Sequence, residues 1–130
     1  MAATYIEWLK AAEDDLTVLQ SIGDNPEITN MSAFHAQQAV EKSIKAYLEA
    51  KDLKIPKTHK IQTLIDLSGL DFGDDELIQL LDMLYIDSRY PGDLGLMPYG
   101  KPTLEDAKVL CDFAVRIYTE IKTIIGRDKR

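Results

Sequence analysis

The chain has 130 residues, of which 45% are hydrophobic, so it is long enough to bury the core of one domain, expected over residues 1–130. Its net charge of −7 argues against general electrostatic binding to DNA or to an anionic membrane. The single cysteine excludes an internal disulfide, and no apolar segment approaches the ~20 residues that cross a bilayer or resembles an export signal, so a cytoplasmic protein is expected.

The first half of the sequence predicts two long helices. Apolar residues at helical spacing predict the first helix over residues 5–22, and the turn over residues 23–26, which contains glycine and proline, ends it. The second helix is expected to extend to about residues 51–52. Three residues offer a side-chain oxygen that could cap its start: Thr29, Asn30 and Ser32.

The second helix divides into two faces. Small and apolar residues form one broad face: Ala33, Ala36, Val40, Ser43, Ile44, Tyr47 and Leu48. The other face carries a polar stripe: His35, Gln38, Lys42, Lys45 and Glu49. Gln37 lies among the apolar residues, where its amide needs a hydrogen-bond partner. The polar stripe is suited to an anion such as a nucleotide, with a plain surface or a dimer contact as the alternative.

Positive charge is concentrated between residues 42 and 60. This segment contains six lysines, at positions 42, 45, 51, 54, 57 and 60, against Glu49 and Asp52, which leaves a local balance of +4 on an acidic protein. A focused anion site, an acidic partner, a second copy of the chain and a solvated surface all remain open as explanations.

Two short helices are expected next. Thr58 is predicted to cap the third helix, which buries Ile61, Leu64 and Ile65 and ends at Gly69. His59 would then lie in its first turn, either in contact with an anion or as an exposed spectator.

The fourth helix is expected to begin with a cap from Asp74 or Asp75. Its predicted buried face is Leu77, Ile78, Leu81, Leu84 and Tyr85. Residues 91–102 follow with three prolines and three glycines, and they fit no helical or strand period. Four hydrophobic residues in this loop, Leu94, Leu96, Met97 and Tyr99, are expected to contact another chain or to fold back on their own bundle.

The last helix is predicted from a capping box formed by Thr103 and Asp106 to about Ile125. Its expected inward residues are Leu104, Ala107, Leu110, Cys111, Ala114, Ile117, Tyr118, Ile121 and Ile125. Cys111 is therefore interpreted as an unreactive core thiol. The sequence predicts an all-α fold: an up-and-down bundle of about five helices, with antiparallel packing of the three long ones and a long Pro/Gly loop before the last.

Four motifs in order resemble a known family. They are W-L-x-x-A-x-x-D-L in the first helix, FHAQQAVEKSIKAYL in the second, K-T-H-K-I-x-x-L-I before the third, and Y-I-D-S-R-Y-P-G at the end of the fourth. Their order and spacing resemble a stand-alone HEPN (higher eukaryotes and prokaryotes nucleotide-binding) domain. The resemblance implies an all-α bundle, usually a homodimer, that often pairs with a minimal nucleotidyltransferase in a toxin–antitoxin module.

Some members of that family are metal-independent ribonucleases with an arginine followed, four to six residues later, by histidine. This sequence departs from that pattern, because no histidine follows Arg89 and both His35 and His59 precede every arginine. Metal-free RNA cleavage needs a proton carrier near neutral pH, and Tyr90, with an ordinary pKa near 10, is a poor substitute. Arg89 either holds a phosphate or pairs with Asp87, Asp93 or helix carbonyls.

Three functions follow for comparison. The first is a non-catalytic accessory protein that binds nucleotide or nucleic acid and pairs with a nucleotidyltransferase. The second is a ribonuclease toxin with a displaced active site, and the third is a purely structural dimerisation module. The candidate ligand-binding residues are Arg89, Tyr90, His35, Gln38, Lys42, Lys45 and His59. No catalytic residue, metal or cofactor is predicted.

Overall fold

A computed structural model describes residues 4–84 and 101–129. Its helices, in chain order, are α1 (Tyr5–Ile22), α2 (Thr29–Ala50), α3 (Ile61–Ser68), α4 (Asp75–Leu84) and α5 (Leu104–Asp128), with a 3₁₀ turn over Pro26–Ile28 before α2. No strand occurs within these residues, so the all-α prediction is confirmed. None of the described helices is long and apolar enough to cross a membrane.

The helix starts show which capping predictions were correct. Thr103 and Asp106 form the predicted capping box of α5, in which each side chain accepts a hydrogen bond from the other residue's backbone N–H. The start of α2 has no side-chain cap, since the 3₁₀ turn leads directly into it and Ile28 stands at the N-cap position. The predicted caps Thr29, Asn30 and Ser32 were therefore wrong.

The cap of α3 comes from another helix. Thr58 was predicted for this role, but its hydroxyl accepts only the N–H of Lys60, which itself occupies the N-cap position. The carboxylate of Asp82 on α4 instead accepts the N–H groups of Ile61 and Gln62. The prediction failed because the cap depends on how α4 packs against α3 and not on the local sequence.

Helix α2 is the centre of the bundle. It contacts α1, α3, α4 and α5, and none of its 22 residues is fully exposed. The predicted apolar face is buried throughout, from Ala33 to Leu48. Because other helices cover α2 on several sides, polar residues outside that face are buried as well.

The directions of the three long helices differ in part from the prediction. Helix α1 is antiparallel to α2, since Asp15 contacts both His35 and Lys42. Helix α2 is parallel to α5: their first turns line one cleft, and Lys51 near the end of α2 forms an ion pair with Asp128 near the end of α5. The prediction of antiparallel packing was therefore wrong for α2 with α5, because α3 and α4 reverse the chain between them.

Most of the predicted core is confirmed, with two differences on α5. Leu104 is 44% exposed, whereas it was predicted to face inward. Cys111 is half-buried, and burial, followed by the nearby charge of Asp112, raises its pKa to about 11. A thiol with this pKa is almost entirely protonated at neutral pH, which fits the prediction of an unreactive cysteine. The predictions for Tyr85 and for residues 91–100 lie outside the described residues.

Candidate functional site

Asp15 joins α1 to the polar stripe of α2. Its side chain is 8% exposed; His35 Nδ1 lies 2.8 Å from one carboxylate oxygen, and the Lys42 ammonium donates to the other at 2.8 Å. Burial alone would raise the pKa of Asp15, but the hydrogen bonds from His35 and Lys42 outweigh it and hold the pKa below its ordinary value. Asp15 is therefore ionised at neutral pH and compensates both cations.

Glu41 is a second buried carboxylate, on α2 itself. Its side chain is 4% exposed, and the Lys45 ammonium donates to one oxygen at 3.0 Å. His59 Nδ1 lies 3.1 Å from the other oxygen, which also accepts the Gln37 side-chain amide at 3.2 Å. A carboxylate this deep is tolerated because it is paired and hydrogen-bonded.

Two glutamines extend this arrangement to the segment after α2. The Gln37 amide donates to the backbone carbonyl of His59 at 3.2 Å, and its oxygen accepts from Gln38 at 2.6 Å. The prediction that buried Gln37 needs partners is thus confirmed. Lys45 also lies over the ring of Trp8, 5.4 Å from its centroid, so the network reaches the start of α1.

Five of the predicted ligand-binding residues therefore lie along one side of the molecule: His35, Gln38, Lys42, Lys45 and His59. The structure brings them together through two acids that sequence reasoning left out, Asp15 and Glu41. A periodicity signal existed for Asp15, since it lies three residues after Ala12 and four before Leu19, both buried on the inner face of α1. Their role toward a ligand stays a prediction.

The remaining predicted residues are placed differently. Arg89 and Tyr90 lie outside the described residues. His59 precedes α3 and does not lie in its first turn, and its side chain is 49% exposed. Arg116, on α5, donates to Asp74 at 3.0 Å and to the Phe72 carbonyl at 2.6 Å, so it joins α5 to the segment before α4.

The lysines of the connector between α2 and α3 differ from those of α2. Lys54, Lys57 and Lys60 are exposed, and none forms an ion pair with another described residue, whereas Lys51 is paired with Asp128. Two of them, Lys54 and Lys57, line an open cleft of about 570 Å³ whose other walls are Ile55, Pro56 and Leu67. This cleft combines unpaired positive charge with an apolar surface, which suits a ligand with an anionic and an apolar part.

Within residues 4–84 and 101–129, no three histidine, cysteine, aspartate or glutamate side chains gather as metal ligands. Cys111 and the two histidines lie on different parts of the bundle, and each histidine contacts a different carboxylate.

A family model of the HEPN domain matches residues 5–124 of the chain. The chain belongs to the HEPN family. Two solved structures are similar over nearly their full length. One, described as ST0689, an archaeal HEPN homologue, is 26% identical with a TM-score of 0.71 and covers 95% of this chain and 99% of its own. The other, TT1696 from Thermus thermophilus, is 27% identical with a TM-score of 0.70 and covers 92% and 96%. No curated protein matches the sequence.

Proposed function

We propose that this HEPN protein is a non-catalytic accessory protein that binds a nucleotide or nucleic acid. As a homodimer, it would pair with a minimal nucleotidyltransferase in a toxin–antitoxin-like module. The ligand's phosphates would lie against Lys54, Lys57 and Lys60, and an apolar base or sugar face would lie in the cleft beside Ile55 and Leu67.

The observation that carries the proposal is the contrast in pairing between the lysines. Lys42 and Lys45 are neutralised by buried acids, so their charge is offset within the bundle. The connector lysines have no such partner among the described residues, and three unpaired cations within seven residues attract a polyanion even on an acidic protein. Lysine binds phosphate as a point charge and does not need the planar geometry of arginine.

The non-catalytic part of the proposal is supported by the positions of both histidines. Each places Nδ1 on a carboxylate that also binds a lysine, an arrangement that stabilises the bundle without any reaction. Phosphoryl chemistry also needs a cation to stabilise charge in the transition state. The lysines that share a carboxylate with these histidines are already bound to Asp15 and Glu41.

A nucleotide titration tests the binding site. ATP and GTP are titrated into the protein and into a Lys54→Gln/Lys57→Gln variant, with Lys10→Gln/Lys122→Gln as a control that loses the same charge at exposed positions on α1 and α5. The connector variant is expected to bind about tenfold more weakly or worse, because two charge-assisted contacts are lost, while the control keeps its affinity apart from a small general effect. Equal weakening in both variants, or no binding at millimolar nucleotide, would leave the purely structural module.

The partner is tested by co-expression. A minimal nucleotidyltransferase encoded beside this gene is expected to co-purify with the protein. Purification of the two proteins as separate species would contradict the pairing and leave nucleotide binding as an independent claim.

The second candidate, a ribonuclease with a displaced active site, is favoured by one contact. Glu41 holds His59 through Nδ1, the way a carboxylate orients a histidine that acts as a general base, and the side chain of His59 is half-exposed. Labelled RNA is incubated with the protein and with His59→Gln and Arg89→Ala variants. Cleavage that disappears in either variant would replace the accessory role with catalysis.

A further inference from the structure

A second cleft lies where the first turn of α2 meets the first turns of α5. Its volume is about 160 Å³, and it shares no residue with the candidate ligand-binding set described above. The walls are of two kinds. The polar side includes Asn25, Thr29, Ser32 and Lys108, and the apolar side includes Leu19 and Cys111.

Two features of the polar side point to a ligand. Thr29 is 2% exposed, and its hydroxyl has no hydrogen-bond partner, although a buried hydroxyl in a folded protein normally has one. The first turn of α2, where the positive end of the helix dipole lies, has no side-chain cap. Both features are satisfied by a group that accepts hydrogen bonds at this position.

The charges of the cleft favour an anion. Lys108 makes no ion pair with a described residue, and its charge adds to that of the helix dipole. Asp24 is the one carboxylate of the wall and opposes them, but it is exposed, so solvent screens it. The nearby Lys101 donates to the carbonyl of Glu27 at 2.6 Å, which adds a further positive charge at this end of α2.

The apolar side continues into a wider groove between α1 and α5. This groove has a volume of about 440 Å³, and it shares Leu19 and Cys111 with the first cleft. Leu16 and the half-exposed Val115 extend its apolar wall. A ligand whose anionic head lies at the start of α2 can therefore place an apolar body along Leu19, Cys111 and Val115.

We propose that this cleft binds a small organic acid, with the carboxylate against Lys108 and the first turn of α2 and the alkyl chain in the α1–α5 groove. The site is separate from the connector cleft proposed for nucleotides, so either one can be wrong without the other. The alkyl chain contributes by burying apolar area, and the head contributes through charge-assisted hydrogen bonds.

The test uses hexanoate with two matched probes, acetate, which keeps the charge, and hexanamide, which keeps the chain. Each is titrated into the ¹⁵N-labelled protein, and the amide resonances of residues 25–32 and 104–111 are followed. Hexanoate is expected to cause saturable shifts there and to bind at least about fivefold more tightly than either probe, because only hexanoate makes both sets of contacts. Acetate or hexanamide binding as tightly as hexanoate, or no saturation at these residues, would overturn the proposal.

Two variants localise the head group. Lys108→Gln is expected to weaken hexanoate about fivefold while leaving hexanamide unchanged. Thr29→Val, which removes the hydroxyl and preserves the shape, is also expected to weaken hexanoate. Lys122→Gln, on the same helix but outside the cleft, is the control. Equal affinity of hexanoate for the Lys108 and Lys122 variants would show that binding depends only on net charge and would refute the site.

Discussion

The cations of α2 and those of the following connector have the same chemistry and opposite surroundings. On α2, Lys42 and Lys45 lie against Asp15 and Glu41 and are largely shielded from water. A few residues later, Lys54, Lys57 and Lys60 are exposed and have no acidic partner within the described residues. In the sequence these lysines form one basic segment. The difference teaches that a count of positive charges does not identify which of them can bind a ligand, because nearby buried acids neutralise some of them.

Replacement of Glu41 should produce the largest effect in this comparison. Glu41→Gln removes the charge that compensates Lys45, whose side chain is 9% exposed, and leaves a buried ammonium without its anion. The free energy of unfolding, measured by urea denaturation, is expected to fall by about 3–4 kcal/mol. Glu49→Gln is the matched control on the same helix and should change it by less than about 0.5 kcal/mol. Similar small losses in both variants would show that the network is not buried as described.

Replacement of Asp15 should have the next largest effect. Asp15→Asn weakens the contacts to His35 and Lys42, which are themselves partly exposed, so a loss of about 2 kcal/mol is expected at pH 7. The neighbouring Asp14, exposed and paired only with Lys10 one turn before it, serves as the control, and Asp14→Asn should cost about 0.4 kcal/mol.

The same variant should change the acid limb of the stability curve. The pKa of Asp15 is lowered by folding, so its contribution is present above its unfolded pKa, near 3.9, and is lost as the pH falls through the folded value. The difference in unfolding free energy between the protein and Asp15→Asn should therefore shrink as the pH is lowered below about 4. A difference that stays constant down to pH 2 would contradict the assignment of this carboxylate as the ionised centre.

A smaller effect is expected from the cap of α3. Asp82→Ala removes the acceptor for two N–H groups and should cost about 1 kcal/mol, while Thr58→Ala, at the position predicted from sequence, should cost less than about 0.5 kcal/mol. Urea denaturation of the two variants side by side measures both. The reverse order would restore Thr58 as the cap.

The smallest effect on stability is expected from the connector. Neutralising Lys54, Lys57 and Lys60 together with glutamine should change the unfolding free energy by less than about 0.5 kcal/mol, because none of them is buried or paired with a described residue. A thermal or urea unfolding curve that overlays that of the unmodified protein confirms this. A loss of more than about 1 kcal/mol would show that these lysines stabilise the bundle and that the contrast with α2 is false.

Periodicity alone determined much of the architecture. The bounds of α1, the apolar face of α2, the end of α3 at Gly69 and the capping box of α5 follow from spacing and local backbone preferences, which act within a few residues. These features do not depend on how the helices are arranged, so they are visible in the sequence.

The tertiary structure decided the rest, because it depends on which elements meet. The capping of α3 by Asp82, the parallel direction of α2 and α5, and the pairing of Asp15 with His35 and Lys42 each join residues at least 20 positions apart. Sequence identified the histidines and lysines as charged groups. Only the packing of α1 against α2 decided that Asp15 neutralises two of them, since a buried charge is stable only where another element supplies its partner.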